Sequence, residues 1–148
     1  MRSSAVRLVG LGLAALVAGA AVAGCAADSD TDTSTGYRLV IRQDGRVLDE
    51  FDLARLGGLP QTEIATPQSH GSPVQRGPAV RAVLDAAGAD AIRSVRVEGR
   101  DPAQTLTAAE LTEQVVLSFT KRDTLKLAGA ELERDRWVRD VSTVVVNP

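Results

Sequence analysis

The sequence predicts an α+β domain of mixed, short-stranded β-sheets with two or three short helices, on three observations. Apolar and β-branched runs of four to six residues recur between turns rich in Gly, Pro and Asp. A helical period is clear in one stretch only, where Val80, Val83, Leu84 and Ala87 fall on one face. The strand–helix–strand rhythm of a parallel sheet is missing, and so is any internal repeat.

In chain order, Tyr37 to Arg42 alternates with period two, Asp44-Gly45 is a hairpin turn, and Arg46 to Leu48 resumes the strand. Asp52 is placed to cap a short helical turn through Leu56, which Gly57-Gly58 ends before Leu59-Pro60. Thr62 to Thr66 reads as a strand, 67–73 as a loop with two prolines and the only His, and Val74 to Arg76 as extended chain. Gly77-Pro78 is then expected to open a helix, because Pro suits a first turn whose N–H has no partner, and Gly88 to close it. Ile92 to Glu98 and Gln104 to Leu106 predict a second hairpin around Gly99-Arg100-Asp101-Pro102. Thr107 and Glu110 have capping-box spacing, which predicts a short helix through Leu111. A third hairpin turns at Lys121-Arg122-Asp123, and Val138 to Val146 reads as one terminal strand.

Composition narrows the function. Of 17 Lys and Arg, Arg2 and Arg7 precede Cys25, whereas all 19 Asp and Glu follow it; beyond Cys25 the chain therefore carries 15 basic against 19 acidic residues. A nucleic-acid binder needs clustered cations facing phosphates, and this balance disfavours one. One Cys and one His exclude a Cys/His zinc site and an intrachain disulfide.

The amino terminus has its own signal. Two arginines in the first seven residues precede an uncharged stretch, Leu8 to Ala23, that closes on Val22-Ala23-Gly24-Cys25. The stretch is shorter than the ~20 residues of a membrane-spanning helix and carries three glycines, so residues 1–24 read as a signal peptide. Small residues followed by Cys resemble the lipobox of bacterial lipoproteins, which implies that Cys25 is acylated with membrane lipid and becomes the first residue. The protein is then expected to be exported and anchored to the outer face of the cell membrane. Residues 26–36, AADSDTDTSTG, hold no large apolar side chain. They read, with Cys25, as a flexible tether spanning about 17 to 20 Å. The globular part is assigned to 37–148.

Within it, Gly77-Pro78-Ala79-Val80-Arg81-Ala82-Val83-Leu84-Asp85-Ala86-Ala87-Gly88 resembles the G-x-P-L-x-x-L-L-x-x-A-G helix of the sulfite-oxidase-like molybdopterin-binding domain. Ile92 to Gly99 is similar to that family's V-x-V-x-x-x-D-G strand, Leu106 to Leu111 to its F-S-L-x-E-L segment, and Arg136 to Val141 to its K-W-V-x-x-I-x-V terminus. The pieces occur in the family's order from Leu59 to Val146. The resemblance implies a sulfite-oxidase-like molybdopterin-binding fold, molybdopterin as the cofactor the family carries, and oxidoreductase chemistry. Active members ligate molybdenum through a Cys between the Leu-Pro turn and the helix; here that segment, Gln61 to Arg76, has none. Neither His70 nor Ser69 or Ser72 replaces a soft thiolate. The stretch between Phe119 and Trp137 also omits a segment that walls the cofactor in the enzymes. A ligand-binding or interaction module is therefore expected. The alternatives are a molybdopterin-dependent oxidoreductase completed by a redox or membrane partner protein, and a purely structural lipoprotein. Cofactor-loaded members cross the membrane folded, on a twin-arginine signal, and Arg2 and Arg7 are not adjacent.

Candidate site residues follow. Arg76 precedes the expected helix start, where free amides favour an anion such as a pterin phosphate. Arg136 and Arg139 flank Trp137 where the family presents cations to its cofactor, with Arg134 nearby and four acids interleaved. Ser69, His70 and Ser72 suggest a nucleophile and base, but neighbours in sequence rarely align for that chemistry and no Gly-x-Ser-x-Gly elbow is present. The acid pairs Asp49/Glu50 and Glu131/Glu133 carry no fixed separation. No catalytic residue and no metal ligand is assigned; Cys25 is the lipidation site, and Arg76, Arg136 and Arg139 are the cofactor-binding candidates.

Overall fold

Five strands form the largest sheet of the computed structural model, which describes residues 36–148; the signal segment, Cys25 and the tether as far as residue 35 lie outside the described residues. Strands β1 (Leu39–Gln43) and β2 (Arg46–Phe51) make the first hairpin, turned by Asp44 and Gly45 with φ of 51° and 75°. Leu48 is the extra residue of a bulge, which leaves Val47 and Leu48 on the solvent side of an edge strand. Strand β1 also pairs in parallel with the last strand. Asp52 caps helix α1 (Leu53–Gly57), its carboxylate accepting from the Arg55 amide at 2.7 Å.

Strands β3 (Gln61–Ala65) and β4 (Val74–Pro78) form a two-stranded ribbon whose loop contains His70. Helix α2 (Val80–Ala86) buries Val80, Val83 and Leu84, the face its spacing predicts. Strands β5 (Ser94–Glu98) and β6 (Gln104–Thr107) make the second hairpin, β7 (Val115–Phe119) and β8 (Leu125–Gly129) the third, and a 3₁₀ turn at Arg134–Arg136 leads to β9 (Val138–Arg139) and β10 (Thr143–Val146). The sheets are ordered β2-β1-β10-β5-β6, β3-β4 and β7-β8-β9. The five-stranded and three-stranded sheets and α2 share one core, to which Leu39, Ile41, Val97 and Val144 contribute from the first sheet and Leu117, Leu127 and Val138 from the third. The domain is α+β, with mixed sheets and few helices.

Three expectations change. Gly77-Pro78 ends a strand and does not open the helix; α2 starts at Val80 after Ala79, which offers no side-chain cap. The reason is packing: β4 crosses β7 at Gly77, where a Cβ would lie 2.6 Å from the Leu117 carbonyl carbon. The Thr107/Glu110 box forms, with the Thr107 amide donating to Glu110 Oε2 at 2.8 Å, yet it closes a turn and no helix follows. The terminal run is two strands in two sheets. At Asp140 the chain takes φ 47°, with the side chain accepting from Thr124 Oγ1 at 2.8 Å and from Arg122 at 3.1 Å. Gly99, without a Cβ, lets the β5 end pass directly over this switch.

Candidate functional site

The crossing of β4 over β7 brings two polar side chains into the protein that sequence alone does not single out. Gln75 and Ser118 are 5% and 1% exposed. Ser118 Oγ donates to Gln75 Oε1 at 3.1 Å, and Gln75 Nε2 donates to the Ser72 carbonyl at 2.9 Å, so both are satisfied at this depth. Gln68 fastens the loop from the other side, its amide lying 3.2 Å from the Gly129 carbonyl and 3.3 Å from that of Ala130. The loop is thus held against the β7-β8 hairpin.

Gln75 and Ser118 line a concavity of about 700 Å³, together with Val74, Arg76, Phe119, Lys121 and Lys126. A second concavity of about 720 Å³ adjoins it, sharing Ser72, Lys121 and Lys126 and extending to Arg134, Asp135 and Trp137. The tight turn between β7 and β8, closed by the Thr120 amide on the Thr124 carbonyl at 3.0 Å, contributes Thr120 and Lys121 to the lining of this groove. The first concavity has three cations and no carboxylate in its lining. Arg76, Lys121, Lys126 and Arg134 form no ion pair among the described residues, whereas eight other arginines do. The Lys126 ammonium lies 5.1 Å from the centre of the Trp137 ring. Burial, and secondarily the charge of Arg134, pushes the Lys126 pKa down. An incoming anion would offset both the desolvation and the Arg134 repulsion of this ammonium.

The three arginines expected to act together are separated. Arg76 lines the first concavity, on the exposed face of β4 and not at a helix start. Arg139 borders the second, but Asp101 neutralises it through a paired contact at 2.7 and 2.9 Å and accepts from its backbone amide at 2.8 Å. The Arg139 guanidinium holds the Asp101 carboxyl at about 2. Arg136 turns to a different, smaller hollow, donating to Glu110 at 2.6 Å and to the Thr105 carbonyl at 3.0 Å, and with the Thr107 amide holds Glu110 at about 2. In the sequence Arg134 stands only as a neighbour of the candidate arginines, and Lys121 and Lys126 carry no site signal. The only trace was that Lys126 interrupts the apolar run Leu125 to Leu127 on the period that faces away from the core. The Ser/His combination does not assemble: Ser72 Oγ donates to the Val74 carbonyl at 2.8 Å and His70 is exposed.

Molybdenum does not suit this donor set. The segment from Gln61 to Arg76 contributes no thiolate of the kind the resembled family uses for molybdenum. The groove suits an anionic group instead.

Comparison with solved structures places the fold. It is shared with part of a dehydrogenase. The chain is similar to the crystal structure of the sulfane dehydrogenase SoxCD from Paracoccus pantotrophus, with a TM-score of 0.57 and 17% identity over 74% of this chain. It spans 38% of that chain, well under half its length. No family model matches the sequence, and no curated protein matches it.

Proposed function

We propose that this protein is an extracytoplasmic lipoprotein, anchored to the outer face of the cell membrane through acylated Cys25, whose domain keeps a sulfite-oxidase-like molybdopterin-domain fold and uses it to bind an anionic ligand without molybdenum redox chemistry. The observation that carries this reading is the first concavity, where Arg76, Lys121 and Lys126 surround the buried Gln75–Ser118 pair with no acid among them. The fold likeness to a dehydrogenase chain and the ordered motif resemblance support the fold. The missing thiolate argues against the metal. The second reading is a purely structural lipoprotein, and the separation of Arg76, Arg136 and Arg139 favours it.

Residues 26–148, expressed without the signal segment in cells that make molybdenum cofactor, are expected to purify with well under a tenth of an equivalent of molybdenum; stoichiometric molybdenum overturns the reading. For the anchor, Cys25→Ser replaces a thiolate nucleophile with a far poorer hydroxyl. The precursor is expected to stay uncut and to lose its lipoprotein partitioning into detergent. Normal processing and release of the Cys25→Ser chain would dismiss the lipidation.

A further inference from the structure

We infer that the ligand of the cationic groove is an extended acidic segment of a partner protein, with one apolar side chain seated between Val74 and Phe119; this rests on the anion-binding reading above and names its occupant. Size is the first reason. Each concavity alone has the volume of a small-molecule site, and the two adjoin through the shared residues Ser72, Lys121 and Lys126. A single inorganic anion fills a small part of that combined volume, while a chain of several residues can contact both the Arg76 and the Arg134 portions.

Charge is the second. Four cations without an ion pair among the described residues, Arg76, Lys121, Lys126 and Arg134, are spread along the two concavities. Asp101 is neutralised by Arg139, and Asp135 is the one carboxylate of the lining left beside them, so carboxylates repeated along a strand-like segment still meet a net positive path. The chain beyond Cys25 is nonetheless net acidic, with 15 basic against 19 acidic residues. Its overall field repels long polyanions such as nucleic acid and leaves local pairing with a short acidic stretch favourable.

The third reason is apolar. Among the described residues the exposed large hydrophobic side chains are two neighbouring pairs, and the β2 bulge accounts for Val47 and Leu48. The other pair, Val74 at 43% and Phe119 at 38% exposure, lines the same concavity as Arg76 and Lys126. An aromatic and an aliphatic wall beside cations is the composition of a protein-recognition patch, where an apolar anchor is seated within polar contacts. Phosphate or an acidic glycan would leave that wall wet.

Trp137 is the single Trp of the chain and lies in the groove under Lys126, so its fluorescence reports binding directly. The full chain in a non-ionic detergent is titrated with Ser-Glu-Glu-Asp-Leu-Asp-Glu-Glu-Ser, with the same peptide carrying Gln and Asn for the acids, with a version carrying Ser for Leu, with inorganic phosphate and with anionic lipid vesicles. The acidic peptide is expected to bind about tenfold tighter than the Gln/Asn version and several-fold tighter than the Leu-free one, and to weaken as salt is raised. Lys126→Gln is expected to lower its affinity about tenfold. Lys121→Gln, in an exposed turn where folding is not at stake, should do so several-fold, and Phe119→Ser should erase the preference for Leu. Binding of phosphate or vesicles without the peptide overturns this inference and leaves the anion-binding reading standing; no binding of any probe overturns both. Peptide binding indifferent to Lys121→Gln and Phe119→Ser places the segment elsewhere and refutes the proposal.

Discussion

Replacing Gly77 by Ala tests the contact on which the groove depends. An ideal Cβ at Gly77 would stand 2.6 Å from the Leu117 carbonyl carbon and 2.9 Å from Ser118 Cα, and nearer still to the Leu117 oxygen. All three atoms are β7 backbone, so no rotamer change relieves the clash. The two strands must separate. Overpacking a tight site costs about 1 to 3 kcal/mol, and a clash with backbone belongs at the upper end. A Gly→Ala change also returns about 0.5 to 1 kcal/mol through the unfolded chain, which leaves a net loss of about 2 to 2.5 kcal/mol. With an unfolding entropy of roughly 2.1 cal/mol/K per residue over a domain of roughly 110 residues, the melting temperature should fall by about 9 to 11 °C. Thermal unfolding followed by far-UV circular dichroism measures this. Ser118 Cα is among the displaced atoms, so the Ser118–Gln75 hydrogen bond at the groove floor should fail as well, and anion binding should weaken in the folded fraction. Gly57→Ala is the control, because nothing lies within 4 Å of a Cβ there; it should melt at or slightly above the parent temperature. If Gly77→Ala melts within about 2 °C of the parent, β4 and β7 do not approach as described and the reasoning fails.

Three further outcomes follow from single contacts. The Tyr37 hydroxyl donates to the Val141 carbonyl, so Tyr37→Phe should cost about 1 kcal/mol in chemical unfolding, whereas a chain cut to 37–148 should melt like the longer one. Burial pushes the Tyr37 phenol pKa upward, so its contribution is complete below about pH 10 and is lost as pH rises above that; Tyr37→Phe should flatten the alkaline limb of the stability profile. Asp101 and Glu110, each held at about 2 by an arginine, contribute above their unfolded pKa of about 4 and lose that contribution as pH falls toward 2. Both pairs are partly solvated, so each is worth about 1 kcal/mol or less; Asp101→Asn should reduce the acid-induced loss measured by urea titration at pH 2 to 5, and an unchanged slope would contradict the Asp101–Arg139 pairing.

The parts of this protein legible in its sequence are those settled within a few residues. Asp44-Gly45 turns the first hairpin because both residues accept positive φ, Asp52 caps α1 because its carboxylate reaches an amide three residues on, and α2 buries the face that a 3.6-residue period marks. Alternation marks the first hairpin, and β-branched or apolar runs on either side of a turn mark the other two. What only tertiary structure decided are the contacts between distant segments. Gly77-Pro78 has the local chemistry of a helix start, but Gly77 is the residue that lets a β4 backbone touch β7, forty residues away in sequence. The run from Val138 to Val146 is uniformly strand-like, and it breaks because Asp140 finds Arg122 and Thr124 across the fold. The candidate site was divided in the same way. Arg136 and Arg139 look as available as Arg76 in the sequence, until Glu110 and Asp101 reach them from 26 and 38 residues away. Lys121, Lys126 and Arg134 are left as the cations facing Arg76 along the groove. A residue's charge is local, but whether that charge is already neutralised depends on which carboxylate the fold sets beside it.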